Sequence, residues 1–175
     1  MQGDWVEPIG PARQQLVVAT TARFIGEGEK IFSRRFERVP VRFDLRGSSA
    51  GMFKAQGRRR WIRYNPWIFS KHFEENLADT VPHEVAHYLV HEVFGGRGVL
   101  PHGEEWRLLM TAFGAEPRAT FDMDLEGVPR RRQRTHPYRC GCRDHEVSTT
   151  RHNRIRRGTG RYLCRYCECE LVFAG

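Results

Sequence analysis

In the run Val81-Pro82-His83-Glu84-Val85-Ala86-His87, two histidines stand four residues apart and a glutamate directly follows the first. On a helix that spacing is about one turn, so both imidazoles project from the same face. Two imidazoles so placed can hold a zinc ion tetrahedrally if a third ligand arrives from elsewhere and one position is kept for water. Glu84, beside the first histidine, can take the proton of a zinc-activated water and pass it to a leaving amine. The chemistry implied is metal-assisted peptide hydrolysis with Glu84 as general base. A chance match on a polar helix face would leave the same pattern. Here, however, the motif lies within an apolar stripe, where unpaired histidine and glutamate would be costly to bury.

The spacing alone leaves the third ligand open among His72, His91, His102, His136 and Glu92. His91 continues the same helix face one turn further, and three ligands in a row on one straight helix cannot surround a metal. His102 follows the turn from Gly95 to Gly98 at the mouth of the next helix, and it is the best placed of the set.

All five cysteines lie between Cys140 and Cys169. An odd, clustered set in a chain without an apolar leader reads as a metal site, not a disulfide framework. Cys164-Arg165-Tyr166-Cys167 has the spacing of a zinc knuckle. Its two partners come from Cys140, Cys142 and His145, and the spacing does not choose between them; Cys169 is spare. A structural zinc would replace the core that so small a module cannot build alone.

The formal charge is +8, unevenly spread. From Arg130 to Arg165 there are twelve arginines against Asp144 and Glu146, a local charge of +10 that leaves −2 for the rest. This asymmetry implies an acidic partner for the C-terminal part, with nucleic acid the commonest candidate. Arg151, Arg154, Arg156 and Arg157 can contact phosphates, while Tyr162 and Tyr166 can stack on bases or simply pack the module. A solvated basic surface is the plainer reading of the same charges.

These groups need elements to position them. Apolar spacing predicts helix over Gln14 to Phe36, as two helices or one broken at Gly26 and Gly28, which weaken the middle. Alternation predicts a strand at Val39 to Leu45, then a hairpin of Met52 to Ala55 and Trp61 to Tyr64. Phe73 to Phe94 is the central helix, starting near Asp79 as cap or kinked at Pro82, and ended by Gly95-Gly96 and Gly98. A further helix covers about Glu104 to Phe113. The expected architecture is α+β with a short antiparallel sheet. It divides into a catalytic domain at 14–119, a basic linker at 120–137 containing Arg130-Arg131-Arg132, and a zinc-ribbon-like module at 138–175. No apolar run is long enough to span a membrane, so a cytoplasmic protein is expected.

The motif from Val81 to His87, Phe94-Gly95, and Pro101-His102-Gly103-Glu104-Glu105-Trp106 together resemble the SprT family of zinc metalloproteases. So do Arg46 to Gly51, Ile62 to Pro66, and Arg151 to Arg154 with Gly158 in the module. The resemblance covers the chain from about Leu16. It implies a zincin-like fold, zinc on His83, His87 and His102, and zinc endopeptidase activity. Through the eukaryotic Spartan members, which cut proteins crosslinked to DNA, it implies protein substrates on DNA, single-stranded or at junctions, and nucleoid association in a bacterium. The long partner-binding tail of the eukaryotic members has no counterpart here. Two other functions remain compatible: a nucleic-acid-binding zinc-ribbon protein with a non-catalytic zincin scaffold, and a general cytoplasmic peptidase independent of DNA. A scaffold would need the ligands but not Glu84.

Overall fold

A computed structural model describes residues 6–95, 98–120, 122–129 and 134–175. The chain divides into two units, 1–130 and 131–175. The run Arg130-Arg131-Arg132 and Gly96 lie outside the described residues.

Helix α1, Pro11–Phe32, runs unbroken through both glycines. Gly28 is there for clearance: a Cβ on it would stand 2.2 Å from Leu89 Cδ1, and Leu89 is fully buried. The missing side chain lets α1 close on the central helix. Gly26 has no such role, since its Cβ would meet only the Arg38 guanidinium at 3.6 Å. Past α1 the chain reverses at Ser33, left-handed at φ 48°, and the Arg34 N–H donates to the Glu29 carbonyl.

The first unit's sheet is mixed, which corrects the expectation of an antiparallel one. Strand β1, Val41–Arg42, lies parallel to β3, Arg59–Tyr64, while β2, Gly51–Gln56, pairs antiparallel with β3 in the order β1-β3-β2. The segment after β1 is too long for a hairpin. It carries the chain to the far edge, and the β2–β3 hairpin then brings β3 back between them. Gly57 takes φ 56° in the two-residue hairpin turn, where glycine avoids the Cβ penalty. The strand expected over Val39 to Leu45 is regular only at Val41–Arg42, but it bonds β3 on both sides of that pair: Ile62 N–H donates to the Pro40 carbonyl at 3.0 Å and Leu45 N–H to the Tyr64 carbonyl at 3.3 Å. Its alternation persists as burial of Val39 and Leu45.

Asn65 ends β3 and caps α2, Pro66–Lys71: its Oδ1 accepts from the Trp67 and Ile68 N–H groups at 3.2 and 3.3 Å. A short helix, α3, Phe73–Glu75, leads into a π-turn at Asn76–Thr80 and then α4, Val81–Phe94. The helix does start near Asp79 with Pro82 in its first turn, where a missing N–H costs nothing. Asp79 is not its cap, because it lies inside the π-turn, which is widened so that Val81 N–H reaches the Asn76 carbonyl. Thr80 Oγ1 donates to Asn76 Oδ1 at 2.7 Å and pins that turn. Gly95, at φ 74°, stops α4, and α5, Glu104–Ala112, packs back on it through Trp106, Leu109 and Met110.

The core gathers Val17, Phe24 and Ile25 of α1, Ile62 and Tyr64 of β3, and Val81, Val85 and Leu89 of α4. Each such side chain contributes about 1.5–3 kcal/mol by leaving water. The segment read as linker from residue 120 divides. Met123, Leu125 and Val128 pack with Ala50 and Ile68, and Lys71 is paired with Asp124, so 122–129 belongs to the first unit. Its apolar residues, spaced too widely to show a period, are what tie it down.

In the second unit β4, Thr135–Arg139, is flanked antiparallel by β5, Asp144–Ser148, and β6, Val172–Phe173. Helix α6, Thr149–Arg156, covers the sheet and buries His152. That ring stacks on His136 at 3.8 Å between centroids and bonds Tyr138 Oη at 3.0 Å. Among the described residues no helix is long and apolar enough to cross a membrane.

The two glycines of α1 give opposite expectations. Gly28→Ala should lower stability by about 1–2 kcal/mol, because overpacking a fixed side chain outweighs the helix-propensity gain. Gly26→Ala should raise it by about 0.5–1 kcal/mol. Urea unfolding of the two variants checks both signs.

Candidate metal centre and its surroundings

Helix α4 is buried along most of its length, and it carries His83, Glu84 and His87 into that interior. His102 comes from the turn before α5, where Gly103 N–H donates to the Leu100 carbonyl at 3.0 Å. The three Nε2 atoms converge: His87 lies 3.1 Å from His83 and 3.2 Å from His102, and His102 lies 3.2 Å from His83. Three ring nitrogens in a closed triangle cannot all make linear hydrogen bonds to one another. They do match three lone pairs directed at one cation. The point equidistant from them is about 1.8 Å from each, close to the zinc–imidazole distance of about 2.0–2.1 Å, so the three rings fit a zinc ion.

Trp106 closes the cluster from beneath. It is fully buried, its ring lies 4.7 Å from both His83 and His102 and 5.7 Å from His87, and its Nε1–H donates to the His83 carbonyl at 3.3 Å. Its place in the first turn of α5, four residues after His102, lets one short segment deliver both a ligand and the wall behind it.

Burial sets the electrostatics. It pulls the His87 pKa down to about 3, with His83 and His102 adding to the effect. It pulls His83 down to about 4, aided by His102 and opposed by a hydrogen bond to the Arg118 backbone. His102 is also lowered, by burial and then by the Arg107 charge. All three imidazoles are thus neutral, the form that ligates. Glu84, only 6% exposed, is pushed up to about 7 by burial against the opposing Phe53 N–H. That N–H, on β2, donates to Glu84 Oε2 at 2.6 Å.

The other candidates for a third ligand are engaged elsewhere. His72 Nε2 bonds the Asp124 carbonyl at 2.7 Å. The His91 ring packs on Phe53 at 5.6 Å. Glu92 pairs with Arg60 at 2.6 Å, and His136 Nε2 bonds Thr149 Oγ1 at 3.1 Å.

In the second unit, the β4–β5 turn presents Cys140 and Cys142, and the turn after Leu163 presents Cys164 and Cys167. These four sulfurs lie within 4.8 Å of one another. Cys140 Sγ is 3.4 Å from Cys142 Sγ, and Cys142 Sγ is 3.7 Å from Cys164 Sγ. His145 Nε2 stands 3.2 Å from Cys140 Sγ, beside the set. Arg151, Arg154 and Arg156 lie on α6 and Arg157 at its end, all exposed, and among the described residues none is ion-paired. The Arg151 guanidinium lies 5.5 Å from the Tyr162 ring centre, and Arg143 lies 3.5 Å over exposed Tyr166. The sequence reading did not see α6 as a helix, because its apolar content is too low for a periodic stripe. It also gave no role to the Phe53 amide, since a backbone donor leaves no residue-type signal.

With the geometry in view, comparison with known proteins places the chain. Residues 21–126 match the model of the SprT-like family. The chain belongs to that family. Protein SprT of Pseudomonas syringae pv. tomato is 41% identical over 151 residues, covering 85% of this chain and 88% of that protein. Protein SprT of Shewanella oneidensis is 35% identical over 162 residues, covering 92% of this chain and 99% of that protein. Protein SprT of Klebsiella pneumoniae is 36% identical over 162 residues, covering 92% and 93%. The SprT-like match thus runs from the second half of α1 into the segment packed on α2.

Trp106 should matter to metal retention without touching the metal. Trp106→Leu should weaken zinc affinity by about 10–100-fold, as loss of outer-shell support typically does. Competition against a chromophoric chelator measures it.

Proposed function

We propose that this protein is a zinc-dependent endopeptidase of zincin type that acts on proteins bound or crosslinked to DNA. The observation carrying the reading is the convergence within 3.2 Å of the Nε2 atoms of His83 and His87, on the helix that also carries Glu84, with that of His102 from the turn before α5. His83, His87 and His102 hold the catalytic zinc. Bound there, zinc supplies a Lewis acid that polarises a carbonyl and acidifies water. Glu84 Oε2 is held by the Phe53 N–H, leaving Oε1 to take the proton of the attacking water and return it to the leaving amine. Burial keeps the carboxyl balanced between its charged and neutral forms near neutral pH, as a group that first accepts and then donates a proton requires. The Arg118 backbone bonds His83, while Trp106 packs against its ring and donates to its backbone carbonyl.

Cys140, Cys142, Cys164 and Cys167 hold a second, structural zinc, with His145 outside the ligand set. Four protein ligands close such a site, so its work is folding the small unit. The DNA preference rests on the charge of the second unit and on the family's eukaryotic members. Arg151, Arg154, Arg156 and Arg157 face solvent without carboxylate partners among the described residues, and single strands or junctions expose the bases that Tyr162 or Tyr166 can stack on.

The deciding experiment is cleavage of a DNA-binding protein by wild type and Glu84→Gln, with and without single-stranded DNA. Wild type should cleave faster with DNA, and Glu84→Gln should lose about 10²–10⁴ in rate. In parallel, Arg151→Gln/Arg154→Gln should flatten the salt dependence of single-strand binding by about 1.4 in log–log slope, ~0.7 per lost phosphate contact. Cleavage indifferent to DNA would make the protein a general peptidase. Zinc-loaded wild type without activity would make it a binding protein on a zincin scaffold.

A further inference from the structure

Gly51 closes the run Arg46-Gly47-Ser48-Ser49-Ala50-Gly51 and opens β2. Its backbone does not call for glycine. It pairs with Tyr64 in ordinary antiparallel register, and its φ lies outside the left-handed region, unlike Gly47 at φ 91°. What sets it apart is what lies over it. A Cβ at Gly51 would stand 2.6 Å from Glu84 Cγ, 2.7 Å from Glu84 Oε1 and 2.8 Å from Thr80 Cγ2. All three distances are below what real Cβ atoms tolerate.

Neither neighbour can give way freely. The Glu84 carboxylate is anchored through Oε2 to the Phe53 N–H at 2.6 Å and is almost wholly enclosed. Thr80 is tied through Oγ1 to Asn76 Oδ1 at 2.7 Å in the π-turn. One strand therefore acts on the carboxylate twice. Phe53 holds one oxygen, and two residues earlier a missing side chain leaves the corridor through which the rest of the side chain passes.

We propose that Gly51 is a positioning residue for Glu84, required for its lack of a side chain and not for backbone freedom. The proposal rests on the reading of Glu84 as general base. A methyl group at Gly51 displaces the carboxylate from its hydrogen bond to Phe53, while His83, His87 and His102 stay in place.

Two measurements on the full-length, zinc-loaded chain test this. In Gly51→Ala, kcat should fall about 10–100-fold, the cost of a misplacement of order 1 Å, with KM within about twofold and zinc content per chain unchanged. The second measurement needs no activity. Thermal unfolding of wild type, Gly51→Ala, Glu84→Ala and the double variant forms a cycle. The midpoint lost on Gly51→Ala should be larger with Glu84 present than in the Glu84→Ala chain, where the two closest obstructing atoms are gone. If Gly51→Ala alone does not fold but the double variant does, the coupling is shown outright. Equal losses in both backgrounds, failure of both to fold, an unchanged kcat, or loss of zinc along with activity would each overturn the proposal. Full activity in Glu84→Gln would overturn the general-base reading by itself; the unfolding cycle would still decide whether Gly51 clears the Glu84 side chain.

Discussion

Helix α4 is enclosed on nearly every face, yet two imidazoles and a carboxylate lie within its first two turns. Burying such groups unpaired would cost several kcal/mol, and much of the first unit can be traced to how that cost is met. The imidazoles meet each other and His102, in an arrangement that suits one cation. The carboxylate meets the Phe53 N–H of β2. Each solution draws a particular element close to α4, and each close approach leaves its mark in small residues or special turns.

Those marks are distributed along the chain. Gly28 lets α1 press on Leu89. The π-turn at Asn76–Thr80 delivers Pro82 into the first turn of α4 without breaking the helical path. Gly95 ends α4 so that the chain can turn back, and Trp106 anchors α5 beneath the histidines it helps to bring. None of these residues carries chemistry of its own. Together they frame a site whose three Nε2 atoms lie 3.1–3.2 Å apart, a convergence that propensity cannot supply and packing can.

The second unit meets a different constraint. It is too small for an apolar core of its own, and its interior is assembled from Tyr138, Val147, His152 and Cys164. Aromatic and imidazole rings stand in for aliphatic packing, with the His136–His152 stack and the Tyr138 hydroxyl joining α6 to β4. Two turns bring four cysteines together from sites twenty-odd residues apart, and the arginines remain outside on α6 and its end.

Residue type and spacing are enough to read the chemistry on offer: the His83, Glu84 and His87 spacing on one helix face, the Cys164 and Cys167 knuckle, and the basic C-terminal stretch. These were legible because ligand and charge signals are local and depend on residue type. The sequence also marks the helices flanking the site, since apolar periods of about 3.6 residues survive in any packing. Which of His72, His91, His102, His136 and Glu92 stands beside His83 and His87 is visible only in three dimensions, because convergence of atoms from different elements has no linear signature. The same holds for Cys140 and Cys142 beside His145, and for β1 running parallel to β3. It holds as well for the Phe53 amide, Gly28 and Gly51. A backbone donor looks alike in every residue, and a glycine kept for clearance cannot be told from one in a turn until the neighbour that fills its space is known.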